Sequence, residues 1–247
     1  MSTAATSIRD KIYCAIDTPD AARAEALAAA LAGAVGGIKL GLEFFTAHGA
    51  DGVGRVMDKA NGADLFLDLK FHDIPNTVAA AMRAAAPIGA RLINVHASGG
   101  TAMMQAARDA AKEGAQGAGL RPPMVLGVTV LTSLDGGDLD RLGIMGSPQD
   151  QVVRLATLAA EAGLDGVVCS AREIAALRAA LGPDFVLVTP GIRPAGADAG
   201  DQKRVVTPAQ AIRDGADYLV MGRPITGEAD PAAAALRIAR EAAEALA

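Results

Sequence analysis

With 247 residues the chain is longer than an average domain, yet within the length that a single α/β barrel takes. Hydrophobic residues make up 51%, enough for a sizeable core, while aromatics at 3% and the lack of Trp leave that core to Ala, Val, Leu and Ile and provide no platform for stacking bases. Lys and Arg number 23 against 28 Asp and Glu, a net charge of −5 without any run of like charge, so there is no polybasic footprint for nucleic acid or anionic lipid.

Residues 1–10 lack the apolar core of a signal peptide, and no uninterrupted apolar stretch is long enough to span a bilayer. The expectation is one domain over 1–247, with 1–10 a flexible amino-terminal extension and a cytoplasmic address. Short apolar or β-branched runs then alternate with Ala-rich helical stretches, the pattern of βα units on a parallel sheet. Candidate strands are 11–17, 37–42, 63–70, 92–97, 124–131, 166–170, 185–190 and 218–222. Helix starts are marked where Pro follows a capping side chain, at Thr18-Pro19, Ser147-Pro148, Thr207-Pro208 and Asp230-Pro231, and by the capping box Ser170-Ala171-Arg172-Glu173. Eight such units suit a closed barrel or an open doubly wound sheet. No Gly-rich dinucleotide fingerprint follows the first strand, which disfavours the open sheet. The two cysteines, Cys14 and Cys169, sit inside apolar runs and read as buried reduced thiols.

In a closed barrel the reactive face is the carboxyl end of the strands, so polar residues there form one set: Asp17, Lys39, Asp68, Lys70, His96, Thr132, Arg193 and Arg223. Strand three is the most unusual. It runs into Asp68-Leu69-Lys70-Phe71-His72-Asp73-Ile74-Pro75-Asn76-Thr77, placing Asp68 and Lys70 on one face and Asp73 past the strand, on the turn that Pro75 converts into a helix start. Lys39 interrupts a short buried strand, and a charge there is costly unless paired. Asp17 suits either a helix cap or the reactive set. His96 reads more readily as a hydrogen-bonded histidine beneath the loops than as a catalytic acid, and His72 and His48 as satisfied or exposed side chains. After strand seven comes Thr189-Pro190-Gly191-Ile192-Arg193-Pro194 and a polar loop with Gly196, Gly200, Asp201 and Gln202, and after strand eight comes Gly222-Arg223-Pro224. That corner commonly binds an anion in such barrels, with Gly222 admitting the ligand to the backbone and Arg223 supplying a forked donor. The loop 193–204 is long for a compact domain and is expected to act as a lid.

Together, the decapeptide from Asp68 to Thr77, Lys39 on strand two and the segments Thr189–Pro194 and Gly222–Pro224 resemble the orotidine 5′-phosphate decarboxylase family, bacterial type, over nearly the whole chain. The resemblance implies a single-domain (β/α)8 TIM barrel of α/β class. It would work as a homodimer with shared active sites, converting orotidine 5′-phosphate to uridine 5′-phosphate and carbon dioxide without cofactor or metal. Carried onto this sequence, Lys70 would donate the proton and Asp68 would face the substrate carboxylate. Lys39 and Asp17 would hold the ribose hydroxyls and join the charge network, while Asp73 and Thr77 would reach the ribose of the neighbouring subunit's ligand. Thr132, or its neighbour Ser133, would address the pyrimidine. Arg193, Gln202, Gly222 and Arg223 would bind or enclose the phosphate.

The nearest alternative is a magnesium-dependent keto-sugar phosphate decarboxylase or aldolase of the same barrel group, which resembles the chain at Asp68, Lys70 and Asp73. Those relatives hold their metal with an acidic residue on strand two, where this chain has Lys39, a cation in place of a ligand. A non-catalytic phosphate-binding barrel would need only the late corner and would have no use for Asp68, Lys70 and Asp73 together.

Overall fold

The computed structural model describes residues 3–194 and 206–246. Eight parallel strands pair in chain order and close on themselves: β1 (Ile12–Ile16), β2 (Gly37–Gly41), β3 (Asp64–Phe71), β4 (Leu92–His96), β5 (Met124–Val128), β6 (Gly166–Val168), β7 (Val186–Pro190) and β8 (Tyr218–Met221), with β8 hydrogen-bonded to β1. This is the (β/α)8 barrel expected. All eight expected strands are present, several shorter than read. The strand after Met124 ends at Val128, and β1 stops at Ile16, leaving Asp17 on the loop above it.

Alternation along the strands divides the core. Inward-facing Tyr13, Ala15, Phe66, Leu92, Leu126, Val188 and Val220 fill the barrel, and the residues between them pack outward against the helices. A Cβ on Gly37 would lie 2.3 Å from the Tyr13 ring, so only Gly lets that ring cross beneath Lys39. The helices seat small residues on the sheet: Pro231–Glu244 buries Ala234, Ala235, Ile238, Ala239 and Ala242, one face of a helical period. Thr101–Gly117 approaches helix Pro75–Ala85 so closely that a Cβ on Gly114 would lie 2.6 Å from the Arg83 carbonyl oxygen.

Local capping chemistry set most helix starts as read. Ser147 and Asp150 form a reciprocal capping box, Thr207 accepts from the Gln210 N–H and Asp230 from that of Ala233, each followed by Pro at the first helical position. Ser170 and Glu173 likewise close a capping box. Thr18-Pro19 is a correction: the helix is Ala21–Leu31, capped by Asp20, whose carboxylate accepts from the Arg23 N–H, while the Thr18 hydroxyl accepts from the Asp20 N–H in the turn before it. Thr3–Asp10 is a helix packed on Pro231–Glu244, and its buried Ile8 joins the core, giving the segment an apolar anchor. Among the described residues, no helix is long and apolar enough to cross a membrane.

Candidate active site

Four charged side chains meet above the Tyr13 and Phe66 layer, in alternating sign. Lys39, on β2, places its ammonium 3.3 Å from Asp17 Oδ1 and 3.2 Å from Asp68 Oδ2. Asp68 Oδ1 in turn accepts from Lys70 Nζ at 2.6 Å. The pairing matters because Lys39 and Asp68 are each only 9% exposed, and a charge so deeply placed survives only with a partner. Burial disfavours the Asp68 carboxylate, but Lys39 and Lys70, with hydrogen bonds from Lys70 and Asn94, outweigh it and hold its pKa below the usual carboxylate value. Burial likewise disfavours the Lys39 ammonium, and Asp68 and Asp17 together raise its pKa above the ordinary lysine value. Both shifts favour the ionised pair.

Lys70 reaches this network from an uncommon backbone. Its φ is +50°, a left-handed conformation shared among described non-Gly residues only by Asn61, and the β3–β4 register shifts between Leu67 and Phe71. The Lys70 N–H, displaced from the ladder, donates instead to Asn94 Oδ1 at 2.7 Å. Asn94 was not anticipated from the sequence. It is fully buried on β4, and its Nδ2 donates to Asp68 Oδ1 at 2.7 Å. The available signal was the same one that singled out Lys39: a lone polar side chain inside an apolar strand.

These groups open into a cavity of about 460 Å³ at the carboxyl ends of the strands. Its walls unite much of the sequence-derived set: Asp17, Lys39, Asp68 and Lys70 on one side, Thr132 with Val128 and Leu131 on another, and Gly191, Arg193, Gly222 and Arg223 at the late corner. Gly191 takes φ +78°, a turn that a Cβ would strain, and carries the chain to Arg193, which is buried. Gly222 precedes the short helix Arg223–Thr226, so the corner has the loop-and-helix construction expected of it. Thr132 lines the cavity and Ser133 is not among its walls. Gln202 and most of the expected lid lie outside the described residues.

Two members of the motif point elsewhere. Asp73 and Thr77 are exposed and do not line the barrel cavity. Asp73 borders a separate cleft with His72, Ile74, Pro75, Ser98 and Gly99, and its carboxylate accepts from the Ile74 N–H. The histidines divide as well. His48 contacts the Pro19 carbonyl oxygen at 2.6 Å, a satisfied side chain as expected. His96 differs from the hydrogen-bonded reading: it is half-buried and packs its ring 5.4 Å from that of His72. Burial, together with the nearby His72 and Lys70, pushes its pKa below the ordinary histidine value. Cys14 and Cys169 are free and buried, and burial pushes each thiol up to about 12.

The family model for "Orotidine 5′-phosphate decarboxylase / HUMPS family" matches residues 10–238. The chain belongs to this family. It is 58% identical over 233 residues to the orotidine 5′-phosphate decarboxylase of Rhodospirillum rubrum, covering 94% of each chain. To that of Paramagnetospirillum magneticum it is 57% identical over 230 residues, covering 93% of this chain and 97% of the relative. Among solved structures, the orotidine 5′-phosphate decarboxylase of Lactobacillus acidophilus superposes with a TM-score of 0.82 at 36% identity, covering 93% of this chain and 97% of that one. The Lys39–Asp68 contact bears on the metal-dependent alternative considered from the sequence. An ammonium already lies 3.2 Å from the carboxylate that a metal would share.

Proposed function

We propose that the chain decarboxylates orotidine 5′-phosphate to uridine 5′-phosphate and carbon dioxide, the last step of UMP synthesis, in the cytoplasm, as a homodimer with shared sites. The observation that carries this reading is the alternating row Asp17, Lys39, Asp68, Lys70 at the mouth of the barrel, in one cavity with Gly191, Arg193, Gly222 and Arg223. Family membership and the names of its relatives support the same reaction.

The chemistry follows from the charges. Breaking the bond to the carboxylate leaves its electron pair on an sp2 ring carbon, in the plane of the ring and out of reach of the carbonyls. A fixed ammonium beside that carbon stabilises the charge as it develops and then supplies the proton that completes the C–H bond, leaving a neutral Lys70 for solvent to reprotonate. Asp68, held ionised by Lys39 and Lys70, keeps the ammonium in place at 2.6 Å and requires no reorganisation during the reaction. Arg193, Gln202, Gly222 and Arg223 bind the phosphate. This remote binding energy seats the ring against Thr132 and the charged row. Lys39 and Asp17 take the ribose hydroxyls, and Asp73 and Thr77 reach the ribose bound by the neighbouring subunit.

The test is the loss of orotidine 5′-phosphate absorbance, with and without a strong chelator. Full turnover in chelator is the expected result. Turnover that vanishes in chelator and returns with magnesium would replace this reading with the metal-dependent one. Tight UMP binding without any turnover would leave only a phosphate-binding barrel.

A further inference from the structure

Asn94 touches both residues on which the proposed chemistry turns, yet it does not line the barrel cavity. Its amide orientation is fixed by its partners. The Lys70 backbone N–H can only donate and the ionised Asp68 carboxylate can only accept, so Oδ1 must face the first and Nδ2 the second. The two bonds, both 2.7 Å, span the place where the β3–β4 ladder loses register and Lys70 turns left-handed. A side chain therefore stands in for the missing strand-to-strand hydrogen bond.

We propose that Asn94 is a positioning residue that acts through Lys70 and Asp68. With one amide it holds the left-handed Lys70 backbone and sets the Asp68 carboxylate toward the two ammonium groups. Without it, the Lys70 N–H would be buried without an acceptor, the backbone would relax toward an ordinary strand, and the ammonium would leave the position in which it meets the reacting carbon. This rests on the decarboxylase reading for its kinetic consequence, but not for its structural one.

The ionisable groups around Asn94 are Asp68 and Lys70 on β3, Lys39 on β2, Asp17 above β1, and His96 two residues along its own strand, with His72 beside that ring. On the other side β5 sets Leu126 beside it and carries no charge over Met124–Val128. An Asn94→Asp change is nearly isosteric. Its new carboxyl can still accept from the Lys70 N–H, but it can lie 2.7 Å from Asp68 Oδ1 only when a proton is shared between the two. The variant should therefore do the work of Asn at low pH and lose it as pH rises.

Three measurements test this on the full-length protein. The first is kcat and KM from about pH 5 to about pH 9 for wild type, Asn94→Ala and Asn94→Asp. Asn94→Ala should lose roughly 10- to 100-fold in kcat, about the worth of one hydrogen bond to a charged group. UMP affinity by calorimetry should stay within about threefold, because the phosphate corner is untouched. The kcat of Asn94→Asp should approach wild type at the acid end and fall as pH rises, relative to the wild-type profile. Hydrogen exchange at the Lys70 amide, read by NMR, is independent of turnover: it should be slow in wild type and at least about tenfold faster in Asn94→Ala. An unchanged kcat in folded Asn94→Ala, or an Asn94→Asp profile parallel to wild type, would overturn the proposal. So would Lys70 exchange that ignores the substitution. If wild type fails to turn over orotidine 5′-phosphate while Lys70 exchange responds as described, the activity reading fails and the clamp stands.

Discussion

Replacing Lys39 with Met keeps the stem of the side chain and removes its charge, which isolates the electrostatic term. At the observed 3.2 Å from Asp68 Oδ2, and with an effective dielectric of about 20, the gross attraction is about 5 kcal/mol. The partner at Asp17 adds little, because that carboxylate is 64% exposed and solvent screens the pair to roughly 0–1 kcal/mol. Deleting one member of a buried pair costs about 3–5 kcal/mol, and since Asp68 retains Lys70 and Asn94, the lower end applies, about 3 kcal/mol. In a chain of 247 residues this lowers the thermal midpoint by about 6–12 °C. The pH dependence has a definite sign. Asp68 titrates below its unfolded value in the folded protein, so its stabilisation is present above about pH 4 and is lost as pH falls through the folded pKa. Lys39 titrates above its unfolded value, so its share is present below about pH 10.4 and is lost as pH rises through the folded pKa. Scanning calorimetry of both proteins, at one concentration to hold assembly constant, should show a gap that is flat from about pH 5 to about pH 9 and narrows outside those limits. A neutral-pH gap under about 1 kcal/mol, or one that changes twofold within the plateau, would refute the pairing argument.

Three further outcomes follow from the site. Lys70→Ala should lose at least about 10⁴-fold in kcat, since one group supplies both charge stabilisation and the proton, while UMP binding by calorimetry stays within about tenfold; near-normal turnover would sink the mechanism. Mixing inactive Lys70→Ala and Asp73→Ala subunits should recover up to about a quarter of wild-type activity, because half the dimers are mixed and each has one intact site; no recovery despite proven heterodimers would remove Asp73 from the neighbour's site. Arg223→Ala should weaken UMP binding by roughly 10- to 100-fold and leave binding of uridine, which lacks the phosphate, unchanged; equal effects on both ligands would place Arg223 outside the phosphate corner.

What could be read from the sequence follows the range of the forces involved. Strand order and most helix starts are local matters of alternation, capping side chains and Pro, so Ser147, Thr207 and Asp230 announced their helices. Thr18-Pro19 carried the same signature, but the competing cap Asp20 lay two residues further on. The helix Thr3–Asp10 has no such local signal, because its contacts are distant in sequence: Ile8 enters the core and the helix packs on Pro231–Glu244. At the site, Lys39 was conspicuous because a buried charge is costly. Asn94 obeys the same logic at lower cost, and a neutral amide in Leu92-Ile93-Asn94-Val95 raised no alarm. The left-handed Lys70 was beyond reach, since its cause is a register shift against β4, a pairing between two strands.

Past that shift, one decapeptide borders two separate places. Up to Lys70 the chain obeys the barrel, and Asp68 and Lys70 remain in the cavity. Beyond it the chain leaves the mouth, Ile74 takes the extended conformation that a following Pro requires, and Pro75 opens a helix whose first turn exposes Thr77. Ile74 itself is left 66% exposed beside Asp73, an apolar side chain at the head of a cleft. In the proposed dimer a two-fold axis presents this same patch from both subunits, so any Asp73 delivered to the partner's mouth is matched by one received in return. Two composite sites then arise from one interface, and dissociation would disable both at once. Turnover per subunit should accordingly fall on dilution below the dimer dissociation constant, with the charged row of each barrel still intact.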